Sequence, residues 1–298
     1  MLLKNLLAAL ALVAPTATAA ELPVRVVSFN IRLAATNPGE NEKPWETRAP
    51  LVTDIITSAA ADVPGNAPVL VGMQEVLHNQ LTDLEGELGG SWAHIGVGRD
   101  DGEEAGEYSP IFYESDVLDV VYEGTKWLSE TPDKPSYGCG ANIRRVVTTG
   151  VFEHKETKQR FIAANTHLDH ETPAARIGGV NVIIERLHAV QEEYGPLAVS
   201  LTGDFNSQPG QDAYEEMAKI GYLEDVYEVS NDHTGPDETY TGFVPGDKAT
   251  RIDYIYVGPK GEDFWEVGMY EVVDNVVDGV FASDHRPVVG DLTLLYEA

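Results

Sequence analysis

Six apolar stretches of this 298-residue chain meet polar residues able to do chemistry. Asn30 follows VVSF, Glu75 follows VLVGMQ, and His167 follows FIAANT. Asp204 and Asn206 follow LAVSLTG, Asp253 sits in RIDYIYV, and Asp284-His285 precede RPVV. Singly each has a plain explanation, since Asp and Asn at strand ends make turns or caps. Jointly, acids, amides and two histidines at so many strand ends call for a shared site. Glu75 and Asp284 are hard oxygen donors, and the single cysteine, Cys139, lies elsewhere. That donor set selects Mg²⁺, or Mn²⁺ or Ca²⁺, over zinc. An ion so held keeps water and substrate oxygens, which suits phosphoryl chemistry.

Asp204 and Asn206 are two apart on an extended segment and face one side. The acid can orient or deprotonate a water while the amide donates to a phosphate oxygen. Asp253 has a use beside His285, where a carboxylate on one imidazole nitrogen fixes the tautomer and raises the pKa. His167 is a second imidazole, able to donate to a phosphoryl oxygen or a leaving group.

Strands must deliver these groups. VRVVSFNI alternates and is β-branched, which predicts a strand. After WETR, Leu51, Val52, Ile55, Ile56 and Ala59 recur at helical spacing up to VPGN. APVLVGMQEV predicts a buried strand and HNQLTDLEGELGG a short helix. SPIFYESDVLDVVYE predicts a hairpin turning at Glu-Ser-Asp, and RRVVTTGVFEH pairs with QRFIAANTHL around HKETK. The longest helix is capped at Thr172-Pro173, carries Ile177, Val180, Ile184, Leu187 and Val190 as its stripe, and ends at Gly195-Pro196. LAVSLTGD, RIDYIYVG and RPVVGDLTLLYE predict strands, PGQDAYEEMAKIG a helix, and 223–250 a loop. Many strands, several helices and no linker predict one α/β domain over residues 21–298 with two packed sheets.

The first twenty residues, MLLKNLLAALALVAPTATAA, have the lysine, short apolar core and small-residue exit of a secretory signal peptide. The sequence therefore predicts export, with a mature chain starting near Ala20 or Glu21, and no transmembrane segment. A lone Cys139 allows no intrachain disulfide and is expected as a packed or half-buried thiol. The formal charge of −29 repels polyanions, which disfavours long nucleic acid as a partner. No obligate protein partner is evident.

SFNIR, GMQEV, NTHLDH, LTGDFNS, RIDYIYV and SDHRP, in that order, resemble the endonuclease/exonuclease/phosphatase superfamily, the DNase I-like fold. These motifs cover residues 28 to 287, essentially the whole mature chain. The resemblance implies a four-layer α/β sandwich, two mixed sheets face to face with helices outside and the site at one sheet edge. It implies Asn30, Glu75 and Asp284 around the metal, and His167 on the phosphate. Asp204 would orient water, Asn206 would bind phosphate, and Asp253 would polarise the catalytic His285. Tyr108 in GEYSPIFY falls where relatives often place a phosphate-binding tyrosine. Arg32 departs from apurinic endonucleases, which tend to carry an acid there, and looks more like DNase I.

Arg32, Arg176, Arg251 and Arg286 each lie within a few residues of a motif, in a chain with only 20 Lys and Arg. That placement predicts a local basic pocket in an acidic shell, with Arg32 and Arg176 as phosphate-binding candidates. Tyr137, Trp127, Phe243 and Tyr240 in predicted loops are candidates for stacking, and His78 and His170 stand beside motif residues. The expected function is a secreted, metal-dependent phosphodiesterase acting on a small or headgroup-type phosphoester. A secreted DNase or RNase is the alternative, and a non-catalytic binding protein of the same fold is a third. Either Asp204 or His285 could be the base.

Overall fold

The strand that carries VRVVSFN is paired on both sides, antiparallel to the chain's last strand and parallel to the next one. The computed structural model describes residues 19–297 apart from 62, 64–66 and 245–248. In chain order the elements begin β1 (Ala19–Asn30), α1 (Trp45–Ala61), β2 (Val69–Gln74), α2 (His78–Leu88), β3 (Trp92–Ile95), β4 (Ile111–Glu114) and β5 (Leu118–Trp127). They continue with β6 (Val146–His154), β7 (Arg160–His167), α3 (Pro173–Tyr194), β8 (Ala198–Asp204) and α4 (Asp212–Ile220). Next come β9 (Glu224–Asp225), α5 (Val226–Val229), β10 (Asp232–Thr234) and β11 (Asp253–Gly258). The chain closes with β12 (Trp265–Val272), β13 (Val276–Val277), β14 (Val280–Phe281) and β15 (Val288–Glu297).

Two mixed sheets result, ordered β10-β12-β15-β1-β2-β4-β3 and β5-β6-β7-β8-β11-β9. Their inner faces share a core that includes Val24, Val26, Leu70, Phe161, Ala163 and Ile255. Outside the first sheet, Val27, Phe29 and Val71 pack on Val52, Ile56 and Leu84 of α1 and α2. Outside the second, Val151, Ile162 and Leu201 pack on Val180, Leu187 and Met217 of α3 and α4. The expected four layers are therefore present, helix–sheet–sheet–helix.

Strand parity explains where the polar residues go, because alternate side chains share a face. Val24 and Val26 point between the sheets, so Ser28 and Asn30 do too. Leu70 leads to Gln74, Phe161 and Ala163 lead to Asn165 and His167, and Ala198 leads to Thr202 and Asp204. The inter-sheet layer is thus apolar at one end and polar at the other. Within it, Gln74 Nε2 donates to Asn165 Oδ1 at 2.7 Å, and Thr202 Oγ1 donates to the same oxygen at 3.0 Å. Asn165 Nδ2 donates to the carbonyls of Met73 and Pro110 at 2.6 and 2.9 Å, bridging the sheets. A Cβ at Gly72 would fall 2.0 Å from Thr202 Oγ1, so only glycine permits this close approach.

Some sequence expectations change. The segments of SPIFYESDVLDVVYE do not form a hairpin: β4 pairs with β2 and β3, whereas β5 pairs with β6 in the other sheet. The Glu-Ser-Asp turn is where the chain changes sheets. Residues 223–250 contain short elements, among them α5, whose N-cap Asp225 accepts from the Tyr227 amide. On α3 the buried stripe runs through Arg176, Val180, Ile183, Leu187 and Val190, leaving Ile177 half-buried. Cys139 is exposed, on a backbone with φ +46°. The signal-peptide segment lies outside the described residues up to residue 18, while Ala19 and Ala20 pair with Glu297 and Tyr296. Among the described residues no helix is long and apolar enough to cross a membrane.

Candidate active site

At the polar end of the inter-sheet layer, three neighbouring strands of the second sheet align His167, Asp204 and Asp253 side by side. Across from them, Asn30 ends β1, and Glu75 follows β2 with φ +62°. That left-handed conformation is uncommon for a residue with a Cβ. Asn30 Nδ2 donates to Asp204 Oδ2 at 2.9 Å and to Glu75 Oε1 at 3.2 Å, joining acids from the two sheets. Its Oδ1 accepts from the Arg32 amide at 3.0 Å. Glu75 Oε2 accepts from the Leu33 amide at 3.2 Å and from Arg32 Nη1 at 3.4 Å. Burial alone would raise the Glu75 pKa, but Arg32 and His285 outweigh it and hold the group below its ordinary value.

Arg48 fixes the backbone behind this wall. Fully buried on α1, it donates to five carbonyls, of Lys43, Ile31, Ala282, Arg32 and Leu33, at 2.7 to 3.0 Å. The guanidinium therefore ties the turn after Asn30 to the segment that leads into Asp284-His285. Ser283 Oγ adds a second tie, donating to the Asn30 carbonyl at 2.6 Å.

His285 stands between two carboxylates. Its Nδ1 is 2.8 Å from Asp253 Oδ2 and its Nε2 is 3.6 Å from Asp204 Oδ2. Burial disfavours the imidazolium, yet Asp253 and Asp204 prevail and push the pKa up to about 10. Asp253 Oδ2 also accepts from Thr239 Oγ1 at 2.6 Å, which aims the carboxylate. Asp204 is raised to about 7, by burial first and then by the charge of Asp253, against the pull of His285. Asp284 is raised by burial and by Glu75, although His285 and Arg32 oppose the shift.

His167 is the second imidazole, with Nε2 at 3.4 Å from Asp204 Oδ2. Asn206, held at φ +47°, places its Nδ2 3.0 Å from that nitrogen and 3.2 Å from the Leu168 carbonyl. A carbonyl can only accept, so Nδ2 donates to both and His167 Nε2 is an acceptor. Nδ1 then carries the hydrogen, and it has no hydrogen-bond partner among the described residues. Burial, then Arg145 and Arg99, keep this imidazole far below its usual pKa and hence neutral. Both Asn206 amide hydrogens are engaged on the protein, whereas the sequence led us to expect one free for a phosphate oxygen.

A cavity of about 480 Å³ opens here, lined by Arg32, Glu75, His167, Asp204, Asn206, Asp284 and His285 among the expected residues. Tyr108 does not line it: the ring is buried, with its hydroxyl donating to the Glu103 carbonyl and 3.1 Å from His78 Nδ1. Nor does Arg176, which pairs with both oxygens of Asp212 at 2.6 and 2.7 Å. Arg251 pairs with Asp225 and stacks on Tyr227, and Arg286 donates to the Glu238 carbonyl. The expected basic pocket thus reduces to Arg32 among those four. Trp127 and Phe243 are buried, whereas Tyr240 lines the cavity with its ring 4.9 Å from that of His285.

Two polar lining residues, Glu107 and Arg145, were not among the expected ones, and His170, noted beside NTHL, joins them. Glu107 Oε2 accepts from Arg99 at 2.6 Å and from Arg145 at 3.3 Å, and Arg145 Nη2 is 3.4 Å from His170 Nδ1. Glu107 is the immediate neighbour of Tyr108, and adjacent residues on extended chain face opposite ways. Alternation from Tyr108 was the available signal for it. Arg145 had only its place before a predicted strand.

The donor chemistry fits a divalent ion. Glu75, Asp204 and Asp284 crowd one cavity with oxygen donors, and Asp204 and Asp284 are held above their ordinary pKa by burial first and then by a neighbouring carboxylate. Asp204, Asp253 and His285 also bring ligand atoms within 4.8 Å of one another, a group that could hold an ion. In that trio, however, Asp253 Oδ2 is already bonded to both Thr239 and His285. Its Oδ1 has no hydrogen-bond partner among the described residues, whereas both oxygens of Glu75 already accept, Oε1 from Asn30 and Oε2 from Leu33 and Arg32.

A family model described as Endonuclease/Exonuclease/phosphatase family matches residues 27–285. An endonuclease/exonuclease/phosphatase from Bacteroides vulgatus is 36% identical, with a TM-score of 0.81 over 91% of this chain and 99% of its own. A mannosyl-6-phosphatase from Bacteroides thetaiotaomicron is 32% identical, with a TM-score of 0.79 over 90% of this chain and 99% of its own. The human nocturnin catalytic domain, solved with sulfate, is 19% identical at a TM-score of 0.68 over 94% of this chain and 98% of its own, and shares the fold. No curated protein matches the sequence. With the family's model covering the span from β1 to His285, the chain belongs to the endonuclease/exonuclease/phosphatase family.

Proposed function

We propose that this phosphoesterase is an exported, divalent-metal-dependent hydrolase of small phosphoesters that works by in-line attack of water. One observation carries the reading. Asp204, buried at the sheet edge, has an imidazole on either side at 3.4 and 3.6 Å, and a hydrogen bond to Asn30 that links it toward Glu75.

Glu75 and Asp284, with Asn30 beside them, would hold the ion, Mg²⁺ or else Mn²⁺ or Ca²⁺. When bound, the ion supplies charge stabilisation at the phosphate and the leaving oxygen. Asp204 takes the proton of the attacking water. His285 suits that task poorly, because two carboxylates keep it cationic; it donates instead. His167 presents its Nδ1–H to the phosphoryl group, and Asn206 sets the tautomer that makes this possible. The roles follow from positioned donors and one acceptor at near-neutral pKa.

The mannosyl-6-phosphatase likeness supports a small phosphorylated substrate, as does an acidic chain with a confined cavity. Diesters, the sequence's expectation, and monoesters are equally compatible with the groups named so far. The leader-like first twenty residues are the support for export. The test is a panel of p-nitrophenyl phosphate, sugar phosphates, bis-p-nitrophenyl phosphate, RNA and plasmid DNA, with Mg²⁺ or EDTA. Turnover of small esters that EDTA stops is the expected result. Activity confined to nucleic acid, or untouched by EDTA, would sink the reading.

A further inference from the structure

Two arginines line the cavity, and they stand differently. Arg32 is committed to acids, with Nε 3.1 Å from Glu42 and Nη1 3.4 Å from Glu75. Arg145 precedes β6, is 7% exposed, and forms part of the opposite wall. Its Nη1 meets Glu107 at 3.3 Å and its Nη2 lies 3.4 Å from His170, while its Nε has no hydrogen-bond partner among the described residues. Glu107 is shared with Arg99, so one carboxylate answers two guanidiniums. The same Glu107 oxygen lies 3.9 Å from His167 Nδ1, which also has no hydrogen-bond partner among the described residues. A guanidinium and an imidazole N–H, both buried and short of acceptors, therefore adjoin on the side of His167 away from Asp204. Buried donors of this kind are usually satisfied by water or ligand.

We propose that Arg145, with His167 Nδ1–H beside it, binds the free oxygens of a terminal phosphate, so that the enzyme prefers small phosphomonoesters to diesters. The inference rests on the phosphoester hydrolysis proposed above and adds the substrate class. A monoester near neutral pH carries a charge close to −2 and three acceptor oxygens. A diester carries one charge and puts an ester carbon where the monoester has an oxygen. A guanidinium fork engages two oxygens of one phosphate, which the ester carbon would prevent. The acids Glu75 and Asp284 face the metal side of the cavity and offer the second charge nothing. Arg145 is the cation that can take it.

The test compares wild type, Arg145→Met and Arg145→Lys on p-nitrophenyl phosphate and bis-p-nitrophenyl phosphate with Mg²⁺. For Arg145→Met, monoester kcat/KM should fall by roughly 10- to 100-fold, the loss of a charge-assisted hydrogen bond. The monoester-to-diester ratio should fall about tenfold, and inhibition by inorganic phosphate should weaken in step. Arg145→Lys should recover only part, because it restores charge without the fork. An unchanged ratio, or a wild type that prefers the diester, overturns the proposal. Should the Met variant fail to fold, the Lys variant decides: wild-type ratio and phosphate inhibition in it overturn the assignment. If wild type cleaves neither ester, the activity reading has failed separately. Calorimetry with inorganic phosphate then judges Arg145 alone, equal binding by wild type and Arg145→Lys counting against it.

Discussion

The two walls of the cavity are built from different sheets and carry opposite chemistry. The first sheet and the turn after β14 supply Glu75 and Asp284, with Asn30 bonded to Glu75 and Arg32 pinned between acids. The second sheet supplies His167 and Asp204, with Asp253 on the strand beside Asp204, and Arg145 stands at the start of β6. One side sets carboxylates around Arg32, and the other sets the His167 imidazole and the Arg145 guanidinium beside Asp204 and Glu107. On the proposed reading, the sandwich sorts ligands by sheet, a cation toward one side and a phosphate toward the other. Asp204 is the exception that belongs to both, since Asn30 reaches across to it at 2.9 Å.

Metal removal should break this arrangement most completely. EDTA should abolish turnover and excess Mg²⁺ restore it, while Mg²⁺ should raise the melting temperature by relieving crowded carboxylates. Glu75→Gln should weaken Mg²⁺ binding at least tenfold, and His167→Ala should leave it nearly unchanged, both read by calorimetry. Equal weakening in the two variants would mean that the ion does not keep to one wall.

Next in size is Asp204→Asn, which should lower kcat by on the order of 10³-fold, within the range for loss of a general base. Its circular dichroism should match wild type. The carboxyl sits at about 7 in the folded protein, so kcat should decline as pH drops below that value, where the protonated acid cannot accept. A flat profile between about pH 5 and 8 would instead point to a different base.

Arg48→Met tests the support behind the first wall. Removing the guanidinium takes a donor from five carbonyls, those of Ile31 and Ala282 in buried bonds, and should cost on the order of 4 kcal/mol, a large effect for one substitution. The loss should appear as a lower urea midpoint, with kcat falling more than KM rises, because Asn30 and Asp284 lose a common anchor.

Much of this was legible from strand parity. Once VRVVSFN reads as a strand, Asn30 must share a face with Val24 and Val26, and the same step places His167, Asp204 and Asp253. Parity within a strand says nothing about which strands become neighbours, so β4 and β5 looked like a hairpin although they join different sheets. The same gap hid Arg145, since its value comes from Glu107, thirty-eight residues earlier in the chain. Proximity to a motif misled for Arg176: it follows NTHLDH closely, but the helical turn after Pro173 swings it inward. Tyr108 was one residue from the group that faces the cavity, Glu107.

Arg176 gives the smallest and most pointed prediction. Its guanidinium grips both oxygens of Asp212 and donates to the Asp169 carbonyl at 3.0 Å, joining α3 to the start of α4 outside the cavity. Arg176→Met should therefore lower stability by about 1–3 kcal/mol, the worth of a charge-assisted bond. It should change kcat/KM less than twofold on any phosphoester. Asp212 is held below its ordinary pKa, first by the hydrogen bond from Arg176. A depressed folded-state pKa contributes stability that is complete above the unfolded value, near 4, and lost as pH falls through the folded value. Wild type should accordingly lose that increment in the acid range below about 4, and Arg176→Met, lacking it, should show a shallower acid limb in its melting temperature. A large loss of activity at full stability would return Arg176 to the substrate and break the division of labour between the cavity walls and the helix layer.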